Sequence, residues 1–376
     1  MATPTNTIIL AREALLPALA LVIKAVERRS TIPVLQNILM AVDASAGTLT
    51  LTGTDLDCEL RTSLPCQAGR DDSFTLPATL LHDAVRKMAD GAEIAIAAEK
   101  DFATVSAGRA RFKIQVLPAA DFPAMSEAGY ANTFELDAGA LRAMLATVSF
   151  AISSEETRYY LNGIHWHVDE HLHAVATDGH RLAKFTAQAP EGAAGMPDII
   201  IPRHTVDLIG KILEDKRPVK VEVSDTRIRL TSGSVSLVSK LIDGTFPDYR
   251  RVIPAGNANH FTVAKDALVH AVDRVMTVAS GKGSAVKFTF AGETLTLTTN
   301  NPEAGSADDE IAIDVAEGEA VEIGFNGRYC LDLFGATEGK RLTFSLDTAG
   351  SPTLIRPEDG DPSSKPLFVL MPMRVT

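Results

Sequence analysis

Four kinds of landmark each occur three times along this 376-residue chain at a nearly constant offset, and that recurrence limits its fold more than any other feature. An apolar stripe at Leu15, Leu16, Leu19, Val22, Ile23 and Val26 has helical spacing. Similar stripes follow at Leu141, Met144, Leu145 and Val148, with Asp137 placed as an N-cap, and at Leu268, Val272, Val275 and Ala279. Related phrases introduce them: Arg12-Glu13-Ala14-Leu15, Ala138-Gly139-Ala140-Leu141 and Lys265-Asp266-Ala267-Leu268, spaced by 126 and 127 positions. Polar turns expected at Thr54-Asp55, Thr177-Asp178 and Asn300-Asn301 keep steps of 123. A second helix follows Leu76-Pro77, Ile201-Pro202 and Gly324-Phe325, and the stretches close on Phe122-Pro123, Phe246-Pro247 and Met371-Pro372. The chain therefore reads as three homologous domains, 1–126, 127–254 and 255–376, joined near Pro123–Asn132 and Ile253–His260.

Within each domain the order is helix, several strands, helix, several strands. The strands alternate with period two, as in Thr48-Leu49-Thr50-Leu51-Thr52 and Thr294-Leu295-Thr296-Leu297-Thr298, and Gly47, Gly233 and Gly292 punctuate them. Two helices packed on antiparallel sheets, repeated internally, make an α+β fold and not a doubly wound parallel sheet. A chain 45% apolar and 22% charged has the material for packed cores, which excludes disordered and collagen-like classes. No run approaches the ~18 apolar residues of a membrane span, and the opening MATPTNTIIL lacks the basic and apolar regions of a secretory signal. Three cysteines, Cys58, Cys66 and Cys330, without metal-type spacing fit a reducing, cytoplasmic setting.

The net charge of −12 argues against an open surface that grips nucleic acid by charge alone. Its distribution is uneven. Helices expected over 12–29, 79–89, 139–152, 203–213, 265–279 and 327–336 carry twelve Lys/Arg against seven Asp/Glu, which leaves −17 on the remainder. Either helices merely favour Lys and Arg, or they share one surface that faces a polyanion.

Several phrases match one family along the whole chain: Thr31-Ile-Pro-Val-Leu-Gln-Asn37, Leu51-Thr-Gly-Thr-Asp-Leu56, Leu117-Pro-Ala-Ala-Asp-Phe-Pro123, Arg158-Tyr-Tyr-Leu-Asn-Gly163, Ala176-Thr-Asp-Gly-His-Arg-Leu182, Phe246-Pro-Asp-Tyr-Arg-Arg251 and Met371-Pro-Met-Arg374. The chain resembles the bacterial DNA polymerase III β subunits, the sliding clamps. The resemblance implies a head-to-tail homodimer of three-domain protomers, a six-domain ring with helices lining the hole and sheets at the rim. Double-stranded DNA would be encircled without sequence preference, and retention by encirclement makes the negative net charge no obstacle. It also implies a protein that catalyses nothing and needs no cofactor, with ATP hydrolysis supplied by the clamp loader. No GxxxxGK[ST] loop is present.

By the same resemblance, a groove for clamp-binding peptides of the replicative polymerase, the clamp loader, and other polymerases and repair proteins comprises Leu161, Thr177, Gly179, His180, Arg181, Leu182, Pro247, Arg251, Val252, Val369, Met371, Pro372, Met373 and Arg374. Tyr160, Asn326 and Tyr329 stand at its margin. Leu, Val, Pro and Met suit an adaptable apolar slot, and Arg181, Arg251 and Arg374 suit acidic or carbonyl groups. The alternative for Pro366–Val375 is an ordinary buried strand; a strand can serve both ends, since alternate residues face opposite sides. DNA-facing positions are Arg29, Arg158, Tyr159, Tyr160, Arg203 and Lys282, although Thr79 and His204 stand where the family carries cations. Arg109, Arg111, Phe112 and Ile114 resemble one face of the dimer interface, and Thr277, Val278, Glu303, Asp308 and Asp309 the other.

Two motifs invite chemistry. Thr177-Asp178-Gly179-His180 with Ser153 or Ser154 could suggest a hydrolase, but no G-x-S-x-G elbow is present and a tight turn explains the glycine. His165, His167, His171 and His173 form H-x-H-x3-H-x-H across an expected hairpin. They either converge on zinc, the basis of a rival metal-dependent hydrolase, or form a polar outer face with Trp166 and Leu172 pointing inward. A peptide-binding protein that never encircles DNA is a third reading.

Overall fold

The computed structural model describes residues 7–27, 29–125, 129–213, 217–279, 285–359 and 365–375. Along the chain one pattern is written three times. The first copy is β1 (Thr7–Ala11), α1 (Arg12–Val22), β2 (Asn37–Asp43), β3 (Thr48–Thr54), β4 (Cys58–Pro65), β5 (Asp72–Pro77), α2 (Ala78–Arg86), β6 (Glu93–Ala98), β7 (Phe102–Ala107) and β8 (Ala110–Gln115), followed by the two-residue β9 (Leu117–Pro118). The second is β10 (Asn132–Asp137), α3 (Ala138–Ser149), β11 (Gly163–Val168), β12 (His171–Thr177), β13 (Arg181–Gln188), β14 (Ile199–Pro202), α4 (Arg203–Ile212), β15 (Pro218–Val223), β16 (Arg227–Ser232) and β17 (Val235–Lys240). The third is β18 (Asn259–Ala264), α5 (Lys265–Met276), β19 (Ala285–Ala291), β20 (Thr294–Asn301), β21 (Gly305–Glu317), β22 (Val321–Asn326), α6 (Gly327–Ala336), β23 (Arg341–Leu346), β24 (Thr353–Pro357) and β25 (Leu367–Leu370). Each copy opens on a strand that feeds its first helix, an element absent from the order read off the sequence.

The chain packs as two compact units, 1–139 with 207–241, and 140–206 with 242–376. In the first, a four-stranded sheet runs β1-β6-β7-β8 and a nine-stranded sheet runs β10-β15-β16-β17-β4-β3-β2-β5-β9. In the second, a single sheet runs β14-β11-β12-β13-β25-β24-β23-β18-β21-β20-β19-β22. All pairings are antiparallel. Two joints link successive copies. The last strand of the second copy pairs with the fourth strand of the first (Leu237 opposite Leu60), and the last strand of the third pairs with the equivalent strand of the second (Val369 opposite Leu182).

The helices bury the stripes that the spacing predicts: Leu15, Leu19 and Val22 on α1, Leu141, Met144, Leu145 and Val148 on α3, and Leu268, Val272 and Val275 on α5. In the first unit α1 packs beside α2 and in the second α5 beside α6. The expected first helix overran. It ends at Val22, a 3-10 turn covers Ile23–Ala25, and Val26 is extended yet buried, so its apolar character serves the core without helical geometry. There Gly53 of β3 passes so close that a Cβ would lie 2.8 Å from the Val22 carbonyl oxygen. The overrun also inflated the charge contrast: the six α-helices among the described residues hold eight Lys/Arg against six Asp/Glu.

The polar turns carry a shared hydrogen-bond signature. Thr54 Oγ1 donates to the Cys58 carbonyl while Asp55 Oδ1 accepts from the amides of Asp57 and Cys58. Thr177 Oγ1 donates to the Arg181 carbonyl while Asp178 Oδ1 accepts from His180 and Arg181. In the third copy Asn300 and Asn301 still belong to β20, and the turn follows them, with Asn301 Oδ1 accepting from the Glu303 amide. These side chains imitate a backbone turn, which is why Thr, Asp and Asn occur there.

Candidate functional site

The second unit holds an open cavity of about 320 Å³ beside the β12–β13 turn. Its floor is the outer side of an apolar cluster in which Leu161, Val175, Leu182, Ile200, Phe246, Tyr249, Leu354 and Val369 are buried. Leu182 and Val369 face each other across the β13–β25 pairing, so one strand joint supplies both core and floor. The rim is unusually apolar: Val252 and Met371 are 51% and 40% exposed. An apolar floor with exposed apolar lips and a few polar groups is the composition of a site for hydrophobic side chains. Of the expected groove residues, Tyr160, Leu161, Thr177, Gly179, His180, Arg181, Leu182, Pro247, Val252, Val369 and Met371 line it. Arg158, Asp248 and Tyr249 line it as well. The latter two sit inside the Phe246–Arg251 phrase, where flanking Pro247 and Arg251 drew the assignment.

The remaining expected groove residues lie outside that lining. Arg251 is exposed, with Nε 2.9 Å from Asp248 Oδ2, and Arg374 is exposed. Asn326 caps α6, its Oδ1 accepting from the amides of Arg328 and Tyr329. The Met373 amide donates to the Gly324 carbonyl at 2.7 Å, tying the final segment with Pro372 to β22, and the Met371 amide donates to His180 at 2.9 Å. The terminal segment is thus both a structural strand and a groove wall.

Arg181 has a different role from the one its type suggested. Its Nε donates to Asp178 Oδ2 at 3.0 Å, Nη1 to Asp332 Oδ2 at 2.7 Å and Nη2 to the Phe150 carbonyl at 2.8 Å. The guanidinium also lies 4.2 Å from the Tyr329 ring centroid and 5.1 Å from that of Phe150. It is a bolt between the β12–β13 turn, α6 and the end of α3, committed to partners within the chain. Tyr329, expected at the margin, contributes through this stack. Gly179 in the same turn has φ +90, and a Cβ there would meet Arg158 Nη1 at 2.6 Å.

Family models for the DNA polymerase III beta subunit match end to end: the N-terminal domain over residues 6–126, the central domain over 135–248 and the C-terminal domain over 250–374. The chain belongs to the DNA polymerase III β subunit family. The beta sliding clamp of Caulobacter vibrioides (strain NA1000 / CB15N) is 43% identical over 372 residues, covering 97% of this chain and 98% of that one. The Escherichia coli (strain K12) beta sliding clamp is 35% identical over 370 residues, with the same coverage. Among solved structures, the Bartonella birtlesii sliding clamp superposes with a TM-score of 0.93 at 42% identity, covering 98% of this chain and all of that one. The three-copy α+β architecture is therefore the clamp fold.

In this sliding-clamp chain two of the cations expected to face DNA, Arg158 and Arg203, are engaged locally. Arg158 Nε is 2.8 Å from Glu155 Oε2, a hydrogen bond that lowers the Glu155 carboxyl pKa and raises that of the guanidinium. Arg203 Nη2 donates to the Ile152 and Ser153 carbonyls beyond the end of α3. The Arg29 amide donates to Glu27 Oε1, and Tyr159 is 54% exposed with its ring against Tyr160. Lys282 lies outside the described residues.

The expected interface residues sit on or beside β8 and β21 and just after α5. β8 is the last strand of its sheet, with Arg109 and Arg111 exposed, Phe112 half-buried and Ile114 buried. Residues 305–312 of β21 pair only with β20 among the described residues, while its later part pairs with β18. Asp308 and Glu303 are exposed there, Asp309 is held at 2.7 Å by Arg274 Nε, and Thr277 and Val278 follow α5.

The histidine hairpin is not the polar outer face that alternation suggested. Trp166 and Leu172 are buried, but so are His165, His167 and His173 on the opposite face; only His171 is exposed. The three rings stack in a row, with centroids 5.1 and 4.6 Å apart. Phe246 lies flat on His165 at 4.7 Å, and His167 Nε2 is 2.9 Å from the Tyr249 hydroxyl. Burial pushes all three imidazoles down in pKa, His167 to about 4. Asp169 moves the other way from what its own desolvation favours: hydrogen bonds from the His171 amide and His173 hold its carboxyl well below the usual range.

Proposed function

We propose that this chain is a replication processivity factor that works as a head-to-tail homodimeric ring. The observation that carries the reading is an unfinished series of joints. In two places the last strand of one copy pairs with the fourth strand of the copy before it. Among the described residues, the last strand of the first copy, β8, and residues 305–312 of the fourth strand of the third, β21, each keep one edge unpaired. Unpaired strand edges are templates for pairing, and repeating the joint between two chains uses both edges twice and closes by symmetry. The register can be carried over. Gly108 and Gly233, with φ +57 and +58, precede β8 and β17 at matching places, and β3–β4 matches β20–β21 through Thr48 opposite Pro65 and Thr294 opposite Ala312. The β17–β4 pairing then sets Arg111 opposite Asp308 and Phe112 opposite Ala307, cation against anion and apolar against apolar.

Encirclement explains how a chain of net charge −12 stays on duplex DNA without gripping it. Arg29, Arg158, Tyr159, Tyr160, Arg203 and Lys282 would face the duplex, and the intramolecular bonds of Arg158 and Arg203 keep that contact weak enough to slide. The cavity on the second unit takes apolar anchors of clamp-binding peptides from the polymerase, the clamp loader and repair proteins. Domains 1–126, 127–254 and 255–376 supply the six segments of the ring. The protein is a cytoplasmic tether and not an enzyme. Equilibrium sedimentation at low micromolar concentration tests the assembly: a mass near twice 40.1 kDa is expected, and a monomer contradicts the reading.

A further inference from the structure

At the turn end of the β11–β12 hairpin, ligand atoms of His167, Asp169 and His173 lie within 4.8 Å of one another. The strands make this possible: His167 and His173 are directly opposite across the pairing, so their side chains share a face, and Asp169 begins the turn that follows β11. We propose that His167, Asp169 and His173 form a binding site for a divalent transition metal of the zinc class. The site is independent of the clamp reading. Two imidazoles and one carboxylate are a ligand set that zinc accepts, with a fourth position left for water or another oxygen donor. The Tyr249 hydroxyl, 2.9 Å from His167 Nε2, is such a donor already at hand.

Outer contacts orient the ligands as metal sites require. Thr186 Oγ1 lies 3.1 Å from His173 Nδ1, which fixes that ring and leaves Nε2 aimed at Asp169 Oδ1, 3.0 Å away. The His171 amide donates to Asp169 Oδ1 at 3.0 Å. Two cations oppose loading: Arg250 Nη2 is 3.6 Å from Asp169 Oδ2, and Lys184 Nζ stands 5.6 Å from the Tyr249 ring centroid. They set the affinity below that of a structural zinc site and make binding reversible. Trp166, the chain's single tryptophan, is fully buried between His165 and His167 in sequence, so its emission responds to a quenching ion held by this hairpin.

The test is calorimetric titration of zinc chloride into the full chain, freed of metal by chelator and dialysis, together with quenching of Trp166 emission by Co²⁺. One ion per chain is expected, with Asp169→Asn and His167→Gln each weakening it at least tenfold and His171→Ala leaving it unchanged. Asp169 is half-exposed, so its variant keeps the fold and decides the matter even if His167→Gln does not. No heat of binding and no quenching at 100-fold molar excess, or binding that Asp169→Asn leaves intact, overturns the proposal.

Discussion

Replacing Arg181 with alanine should destabilise the second unit by about 3 kcal/mol, a figure that follows from its surroundings. The guanidinium makes charge-assisted bonds to two carboxylates and one carbonyl and stacks on two rings. Truncating one partner of a well-buried pair costs ~3–5 kcal/mol, chiefly because the other charge is stranded. Here the Asp332 side chain is 41% exposed, so water recovers most of its share. Asp178 is more enclosed, but its Oδ1 keeps two backbone donors. The Phe150 carbonyl loses a buried donor at ~1–3 kcal/mol, and the lost stacking adds ~1 kcal/mol. For a unit of this size the sum moves the melting midpoint down by about 9 °C. Urea unfolding of Arg181→Ala, Arg181→Lys and Asp332→Asn, with the double variant, gives both the total and the pairwise coupling. Lysine keeps a point charge but loses the fork, so it should recover less than half. A loss under 0.5 kcal/mol for alanine, or no coupling between Arg181 and Asp332, would refute the bolt assignment.

Further outcomes follow from the same geometry. Between pH 6.5 and 4 the unfolded chain binds protons that buried His167 refuses, so stability falls as pH falls through that window. His167 alone accounts for roughly 3 kcal/mol, and in chelator-treated protein His167→Gln should flatten the profile measured by urea unfolding at stepped pH. Gly179→Ala should lower affinity for a clamp-binding peptide at least fivefold in fluorescence anisotropy, because φ +90 strains any side chain and the turn must shift within the groove wall. Removing Met371–Thr376 should abolish peptide binding while the dimer mass is retained; surviving affinity would place the groove elsewhere. Arg111→Asp should weaken the dimer about tenfold by setting like charges opposite each other at both joints, and Asp308→Arg in the same chain should restore it.

Much of the architecture was legible because it is repeated. Leu15, Leu141 and Leu268 open equivalent stripes, and a threefold recurrence overrides the ambiguity of any one segment. What escaped was whatever periodicity does not encode. The strands before α1, α3 and α5 are short and merge into the helices without a side-chain break; Ala11 and Ala264 lead directly into theirs. The residue types that line the cavity were readable from the phrases around Leu182 and Met371, but Arg181 shows that residue type does not reveal whether a charge is already spent inside the fold. The histidines pointed the same way. Alternation separated His167 from Trp166, yet only the packing of Phe246 and Tyr249 over that face, from far along the chain, turned an apparently outer row into a buried stack.

Topological retention is the most direct measurement of all. Loaded onto nicked circular duplex and gel-filtered in high salt, the protein should stay with the circle and leave once a single cut makes it linear. Equal loss from circle and linear DNA, or equal retention on both, would mean that contact and not threading holds it.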